Sequence, residues 1–126
     1  MIPRFVPKTL AIILSVGLAC VSDPGEPLSR WVTGTVVSPN LNEGAALIEI
    51  SGAGLEDVRV DGGRVFTTGN DRLIRAVIVL DEPGSLRFRV RMVDPTVPVS
   101  ASVLEVADGS NEVRASLAGY DVDFAR

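Results

Sequence analysis

The chain has 126 residues, of which 46% are hydrophobic and 22% charged, and its formal net charge at pH 7 is −4. This length suits one ordinary domain, and the composition differs from the low hydrophobicity and high charge of disordered chains. Nucleic-acid-binding proteins typically carry a clustered excess of cationic residues, whereas this chain is net negative. We therefore expect no nucleic-acid partner.

The first predicted element is a secretory signal segment at the start of the chain. Arg4 and Lys8 precede a run of uncharged, mostly apolar residues, 10–19, that stops at Cys20. A positive flank, a short apolar run and a small-residue boundary are typical of secretory signals, whereas a membrane-spanning helix needs about 20 apolar residues. Two other interpretations stay open: an ordinary secretory signal with a chance cysteine, and a first core strand that is never removed.

The end of this segment has a more specific pattern. The order Val16, Gly17, Leu18, Ala19, Cys20 resembles the lipobox of bacterial lipoproteins. In that family the cysteine thiol is alkylated with diacylglycerol, the peptidase cuts just before it, and the new amino group is acylated. Two or three acyl chains hold a protein stably at a bilayer, whereas one holds it only marginally. The resemblance therefore implies a signal peptide over residues 1–19 and a lipid anchor on Cys20, which leaves no thiol for a disulfide.

Residues 20–29 are predicted to form the lipidated cysteine and a flexible tether. The stretch VSDPGEPLS after the cysteine combines prolines, a glycine and acids, which is the composition of a solvated linker. In enteric lipoproteins an aspartate directly after the cysteine keeps the protein at the inner membrane, and here that position is Val21. The resemblance thus implies a bacterial cell-envelope location and favours the outer membrane or cell surface over the inner membrane.

Residues 30–126 are predicted to form a single antiparallel β-sandwich, Ig-like or jelly-roll-like. Short runs with period-two alternation recur about every 8–12 residues, and no amphipathic helix pattern is present. The eight or nine candidate strands are 31–38, 45–51, 56–60, 64–68, 73–80, 85–92, 99–107, 112–116 and 120–124. Turn residues separate several of them, at 38–40, 61–63, 69–71, 81–84 and 108–111, and we expect these turns to close hairpins.

The alternation also assigns faces to the strands. The strand 85–92 is predicted to bury Leu86, Phe88, Val90 and Met92 and to expose Arg87, Arg89 and Arg91. Strand 45–51 is predicted to bury Ala46, Ile48 and Ile50 and to leave Glu49 outside. The segment 76–80 is apolar on both faces, which predicts a central strand covered on both sides. Its neighbours are expected to include the arginine-bearing strand.

A second resemblance concerns the whole domain. It rests on the order of short strands, on the SLRFRV strand after an acidic turn, and on the ending SVLEVADGSNEVRASLAGYDVDF. In these features residues 31–126 are similar to the cohesin and carbohydrate-binding-module group of β-sandwiches. The resemblance implies the fold and allows docking of a protein partner through a sheet face or edge.

Candidate catalytic and metal-binding residues are few. The chain has no histidine, and its serines lack a neighbouring base, which argues against nucleophilic triads and zinc sites. Asp121 and Asp123 share a strand face and are in principle a glycosidase pair, but acids so placed are usually solvated. The DGSNE turn, 108–112, offers oxygen ligands for calcium, yet aspartate and asparagine in tight turns are explained by hydrogen bonds to the backbone. We therefore predict no enzyme, no cofactor and no metal site.

The candidate ligand or partner face consists of Arg87, Arg89, Arg91, Trp31 and Tyr120. Guanidinium groups spaced roughly 6.5–7 Å apart along one strand face can fork onto carboxylate or phosphate oxygens. Alternatively, they pair with exposed acids on neighbouring strands, Glu49 among them. The two aromatic residues either stack on sugars or serve as core plugs or corner residues of the sandwich.

Together these features predict a membrane-anchored envelope or surface lipoprotein that acts as a non-catalytic protein-interaction or structural module. A glycan-binding module is the alternative, and an accessory hydrolase is the least favoured interpretation. The predicted partners are the membrane, through the lipid anchor, and an envelope protein or a glycan.

Overall fold

The computed structural model describes residues 30–125, which form eight β-strands. The strands are β1 Trp31–Val37, β2 Glu43–Gly52, β3 Leu55–Arg59, β4 Gly63–Gly69, β5 Leu73–Gly84, β6 Arg87–Met92, β7 Val99–Asp108 and β8 Asp121–Ala125. Sheet A has the order β3-β6-β1-β8, and sheet B has the order β4-β5-β2-β7. The predicted antiparallel β-sandwich is confirmed, because all pairings between these strands are antiparallel.

The predicted signal segment 1–19, Cys20 and the rest of the tether to residue 29 lie outside the described residues. Within residues 30–125 there is no helix of the length and hydrophobicity that crossing a membrane requires.

The hydrophobic core lies between the two sheets. Sheet B contributes Ile48, Ile50 and Ile78, each with no exposed surface, and sheet A contributes Phe88 and Val90, at most 1% exposed. The inward and outward alternation predicted for residues 46–50 and 86–92 is confirmed. Burying one large aliphatic or aromatic side chain stabilises a fold by about 1.5–3 kcal/mol, so these facing layers supply the main stabilisation.

Two of the turns expected to close hairpins, at 38–40 and 61–63, instead carry the chain from one sheet to the other, and a third, at 81–84, is part of strand β5. Of the described strands, only β4 and β5 are both consecutive in the chain and paired, across the turn at 69–71. The hairpin prediction is therefore wrong for the turns at 38–40, 61–63 and 81–84. Proline, glycine and asparagine set the local bend, but stacking of apolar faces decides whether the next strand pairs or crosses.

The predicted strand at 112–116 is not formed. The turn at 108–111 does bring the chain back to β7, but only through an isolated bridge between Ala107 and Val113. Val113 is 59% exposed, so its side chain adds nothing to the core that would extend the pairing. The chain then departs toward Arg114, whose side chain reaches into the buried end of the sandwich.

The expected neighbours of the apolar segment 76–80 are also wrong. This segment lies in β5, which pairs with β2 and β4, whereas the arginine-bearing β6 belongs to sheet A. One face of β5 is not covered by another layer, since Val77 is 39% exposed. In a two-layer sandwich one face of each sheet packs on the core and the other faces solvent. The prediction that segment 76–80 is covered on both sides is therefore wrong, although the segment is apolar on both sides.

Gly34 makes room for the central aromatic side chain of sheet A. It lies opposite Phe88 in the pairing of β1 with β6, and a Cβ atom at this position would lie 2.7 Å from Cε2 of the ring. The ring cannot move aside easily, because its edge also packs against Phe124 at a centroid distance of 5.8 Å. Glycine is thus required here by close packing.

We expect Gly34→Ala to lower the free energy of unfolding by about 1–3 kcal/mol, because the added methyl overpacks the core. Urea denaturation measures the change. Gly84→Ala is the matched control, since a Cβ there meets nothing within 4 Å, and it should stay within about 0.5 kcal/mol of wild type. Equal stability of the two variants would contradict the packing role of Gly34.

Candidate functional site

Sheet A carries the predicted arginine ladder on its outer face. In the pairing of β1 with β6, Arg91 lies opposite Trp31 and Arg89 lies opposite Thr33, with Arg87 one step further along. We call this surface, with Arg59 of β3, the arginine face. The structure therefore brings together four of the five predicted site residues, the three arginines and the tryptophan.

Trp31 contacts two guanidinium groups of the arginine face. The Cζ atoms of Arg89 and Arg91 lie 5.1 and 5.7 Å from the centroid of its ring. At such distances a cation–π contact contributes about 0.5–1 kcal/mol. The Nε atoms of both arginines are buried. That of Arg89 has no hydrogen-bond partner among the described residues, and that of Arg91 lies in an ion pair with Glu56, so a ligand would contact their Nη groups.

Nearby acids pair with part of the ladder, but Glu49 is not one of them. Arg91 lies 3.3 Å from Glu56, and Arg89 lies 3.3 Å from Asp61. Glu49 pairs instead with Arg75 of its own sheet at 2.9 Å, so its predicted role as a partner of the ladder is wrong. Exposed pairs of this kind contribute less than about 1 kcal/mol, and they mainly orient the guanidinium groups.

A shallow cavity of about 280 Å³ lies at the end of the arginine face where Arg59, Arg87 and Arg89 meet, beside Ser85. Arg59 lies opposite Arg89 and donates to Asp57 at 2.8 Å. Arg87 is exposed and forms no ion pair within residues 30–125. Sequence reasoning missed Arg59, because only the long-range pairing of β3 with β6 places it there.

Tyr120, the fifth predicted site residue, does not lie on the arginine face. It directly precedes β8, and its hydroxyl donates to the Glu43 carboxylate and accepts a hydrogen bond from the Asn40 amide at 3.0 Å. It is half-buried and serves as a corner residue, the second of the two alternatives considered for it.

The partner of Tyr120, Glu43, is the one buried charged residue within 30–125, at 2% exposed. One carboxylate oxygen accepts from Tyr120 and from Ser38 at 2.6 Å, and the other accepts from Nε and Nη2 of Arg114 at 3.1 and 2.8 Å. Two donors on each oxygen satisfy the buried charge. We call these four residues the Glu43 cluster.

The sequence alone did not reveal the Glu43 cluster because of a bulge. Strict alternation with Ile48 and Ile50 would place Glu43 outside, but the register shifts between Glu43 and Ala45 and turns it inward. Gly44 allows the bulge, since a Cβ there would lie 2.7 Å from the Asp108 carbonyl oxygen. The sequence does contain one sign of this bulge, namely a glycine, Gly44, directly after an acid at the start of a strand.

The environment keeps the Glu43 cluster charged. Burial raises the pKa of Glu43, but hydrogen bonds from Ser38, Tyr120 and Arg114, together with the Arg114 charge, outweigh it and hold the pKa below its ordinary value of 4.5. The hydrogen bond to Glu43 in turn raises the pKa of Arg114. An ionised carboxylate with every lone pair engaged is poorly suited to donate or accept a proton, so the cluster is structural.

The other acids within residues 30–125 include those that the sequence offered as candidates for catalysis or calcium binding. Asp121 and Asp123 are exposed on β8, and no group of three or more His, Cys, Asp or Glu residues within 30–125 is arranged to hold a metal ion. In the DGSNE turn, one Asp108 oxygen accepts from the backbone N–H groups of Ser110 and Glu112 at 2.8 and 3.0 Å. These bonds hold the pKa of Asp108 below its ordinary value and account for the turn without a ligand.

No family model matches the chain, and no curated protein or solved structure matches it.

We expect Glu43→Gln to lower the free energy of unfolding by about 3 kcal/mol near neutral pH, because it removes one charge from a buried pair. Denaturation followed by Trp31 fluorescence measures this change. Glu49→Gln is the matched control, since its pair with Arg75 is exposed, and it should cost less than about 1 kcal/mol.

The same variant should change the response to acid. Because the folded-state pKa of Glu43 is lowered, its carboxylate stabilises the fold above about pH 4.5, and this contribution is lost as the pH falls through the folded-state pKa. Asp108 acts in the same direction in both proteins. The stability difference between wild type and Glu43→Gln should therefore shrink on acidification, and a difference independent of pH would contradict the assignment.

Proposed function

We propose that the chain is a lipid-anchored protein of the bacterial envelope, at the outer membrane or cell surface, whose β-sandwich is a non-catalytic protein-interaction module. The lipobox resemblance at residues 16–20 supports the location. The arginine face supports the proposed mode of binding. The decisive observation is that Arg87 has no ion-pair partner within residues 30–125, whereas the neighbouring Arg59 and Arg89 each pair with an aspartate.

The lining of the cavity indicates what kind of group it takes. Three arginines, Arg59, Arg87 and Arg89, line a shallow cavity of about 280 Å³. Such a lining suits an acidic side chain presented by a protein surface. Arg87 supplies a free fork for that carboxylate, while Asp57 and Asp61 hold Arg59 and Arg89 in position.

A glycan-binding module has less support in the described residues. Stacking on sugars needs exposed aromatic faces, but Trp31 already contacts two guanidinium groups, and the Tyr120 hydroxyl is bound within the Glu43 cluster. The two aromatic residues also lie near opposite ends of β1, since Tyr120 precedes the residue that pairs with Val37. The docking through a sheet face that the cohesin resemblance allows agrees better with this arrangement.

The location is tested by metabolic labelling with a radiolabelled fatty acid. We expect wild-type protein to incorporate the label and to fractionate with envelope membranes, and Cys20→Ala to lose both, because the thiol is the proposed acceptor. Equal incorporation by the two proteins would contradict the anchor.

The binding mode is tested by charge reversal at Arg87. Loss of a charge-assisted bond to a carboxylate is expected to weaken partner binding roughly ten- to a hundredfold in Arg87→Glu. Arg72→Glu is the matched control, since Arg72 is exposed in the β4–β5 turn, forms no ion pair within 30–125, and gives the same change in net charge. Cross-linking of the full-length variants in envelope preparations, with mass spectrometry, measures the captured partner.

Capture by wild type and by Arg72→Glu, but not by Arg87→Glu, is the expected result. Capture that is unchanged in Arg87→Glu would contradict the proposed mode. A glycan array, probed with the same variants, tests the alternative of a glycan-binding module. Binding to an acidic glycan that is lost in Arg87→Glu would show that the ligand is a sugar and not a protein.

A further inference from the structure

Strand β4 forms an unprotected edge of sheet B. Its sequence, GRVFTTG, contains no proline, no acid and one arginine, and the strand lies at the end of the order β4-β5-β2-β7. An edge strand presents unpaired backbone N–H and C=O groups, which natural proteins usually protect with charges, prolines, bulges or short length.

The other edges of the sandwich carry such protection. β3 has five residues and a register shift between Leu55 and Asp57, and β8 has five residues and carries two aspartates. The outer side of β7 is occupied in part by the bridge to Val113. Among the described strands, β4 is therefore the edge best suited to accept another strand.

The alternation of hydrogen bonds shows which groups of β4 are free. Asp81 N–H donates to the Gly62 carbonyl at 2.9 Å, and Asn70 N–H donates to the Leu73 carbonyl at 2.9 Å. In the continuous register between them, the even-numbered residues of β4 bond to β5. The backbone groups of Gly63, Val65, Thr67 and Gly69 consequently point outward, and this set is symmetric about Phe66.

We propose that β4 pairs antiparallel with β4 of a second copy of this chain, about a two-fold axis at Phe66. In this register Gly63 bonds to Gly69 of the second copy, and Val65 bonds to Thr67, so every outward backbone group finds a partner. The two Phe66 residues face each other as a non-hydrogen-bonded pair, in which side chains approach most closely. Arg64 lies across from Thr68, so no like charges meet within the paired strands.

An exposed apolar row supports the choice of a second copy as the occupant. Phe66 is 58% exposed and lies opposite Val77, 39% exposed, which in turn lies opposite Leu47 of β2. Pairing about Phe66 joins the rows of two copies into one continuous strip on an extended sheet. An unrelated strand would satisfy the backbone groups but would not continue this row by symmetry.

This assembly is independent of the proposed function. The arginine face lies on the outer side of sheet A, whereas the pairing extends sheet B at its edge. A dimer would therefore present two arginine faces, and loss of dimerisation would leave each one intact.

The self-pairing of Phe66 permits a charge-swap experiment. Phe66→Lys and Phe66→Glu each place like charges face to face in a homodimer, so each is expected to dimerise at least roughly tenfold more weakly than wild type. An equimolar mixture places opposite charges face to face and should recover a heterodimer. Association is measured by sedimentation equilibrium of the full-length chain in a density-matched detergent, with micelles in excess. The control is Leu104→Lys, which introduces a charge at the far edge of sheet B.

Hydrogen exchange provides a second measurement. In the dimer the amides of Val65 and Thr67 should be protected, and they should exchange freely in Phe66→Lys, while Phe66 and Thr68, bonded to β5, stay protected in both. A monomeric wild type, or a mixture of the two charged variants that stays monomeric while wild type dimerises, would overturn the proposal. Circular dichroism confirms that the variants at this exposed position remain folded.

Discussion

The buried carboxylate of Glu43 is the interaction on which the closed end of the sandwich depends. Its four donors come from the β1–β2 connection, from the segment after β7 and from the residue before β8. A buried charge without these donors would be costly, so the segments have to be ordered together. The cluster thereby couples the crossing between the sheets to the docking of the last strand beside β1.

The position of β1 in turn determines the arginine face. β1 pairs with β6 on one side and with β8 on the other, and β6 also pairs with β3. Trp31 and Arg91 meet only because the first and sixth strands are neighbours, and Arg59 joins them from the third. The acids near these arginines orient most of the guanidinium groups, whereas Arg87 forms no ion pair within residues 30–125.

The two outer surfaces of the sandwich are chemically different. Sheet A carries arginines and acids outside, whereas sheet B carries an apolar row that ends at the edge strand β4. If both proposals hold, partner binding on sheet A and self-association at the edge of sheet B would use different surfaces of the domain. Under the proposed function, the lipid tether joins the domain at residue 30, at the Trp31 end of the arginine face, and the cavity beside Arg87 lies toward the other end of that face.

Period-two alternation was sufficient to predict a β-sandwich, the burial of Phe88 and Ile48, and the exposure of the arginines, because side-chain direction in a strand is a local property. The same pattern misled about the partner of Glu49, about the neighbours of β5 and about the ninth strand. It also missed Glu43, which a bulge turns inward. These features were decided by the tertiary structure, because strand neighbours are chosen by the stacking of apolar faces from distant segments, and turn residues specify only the bend between them.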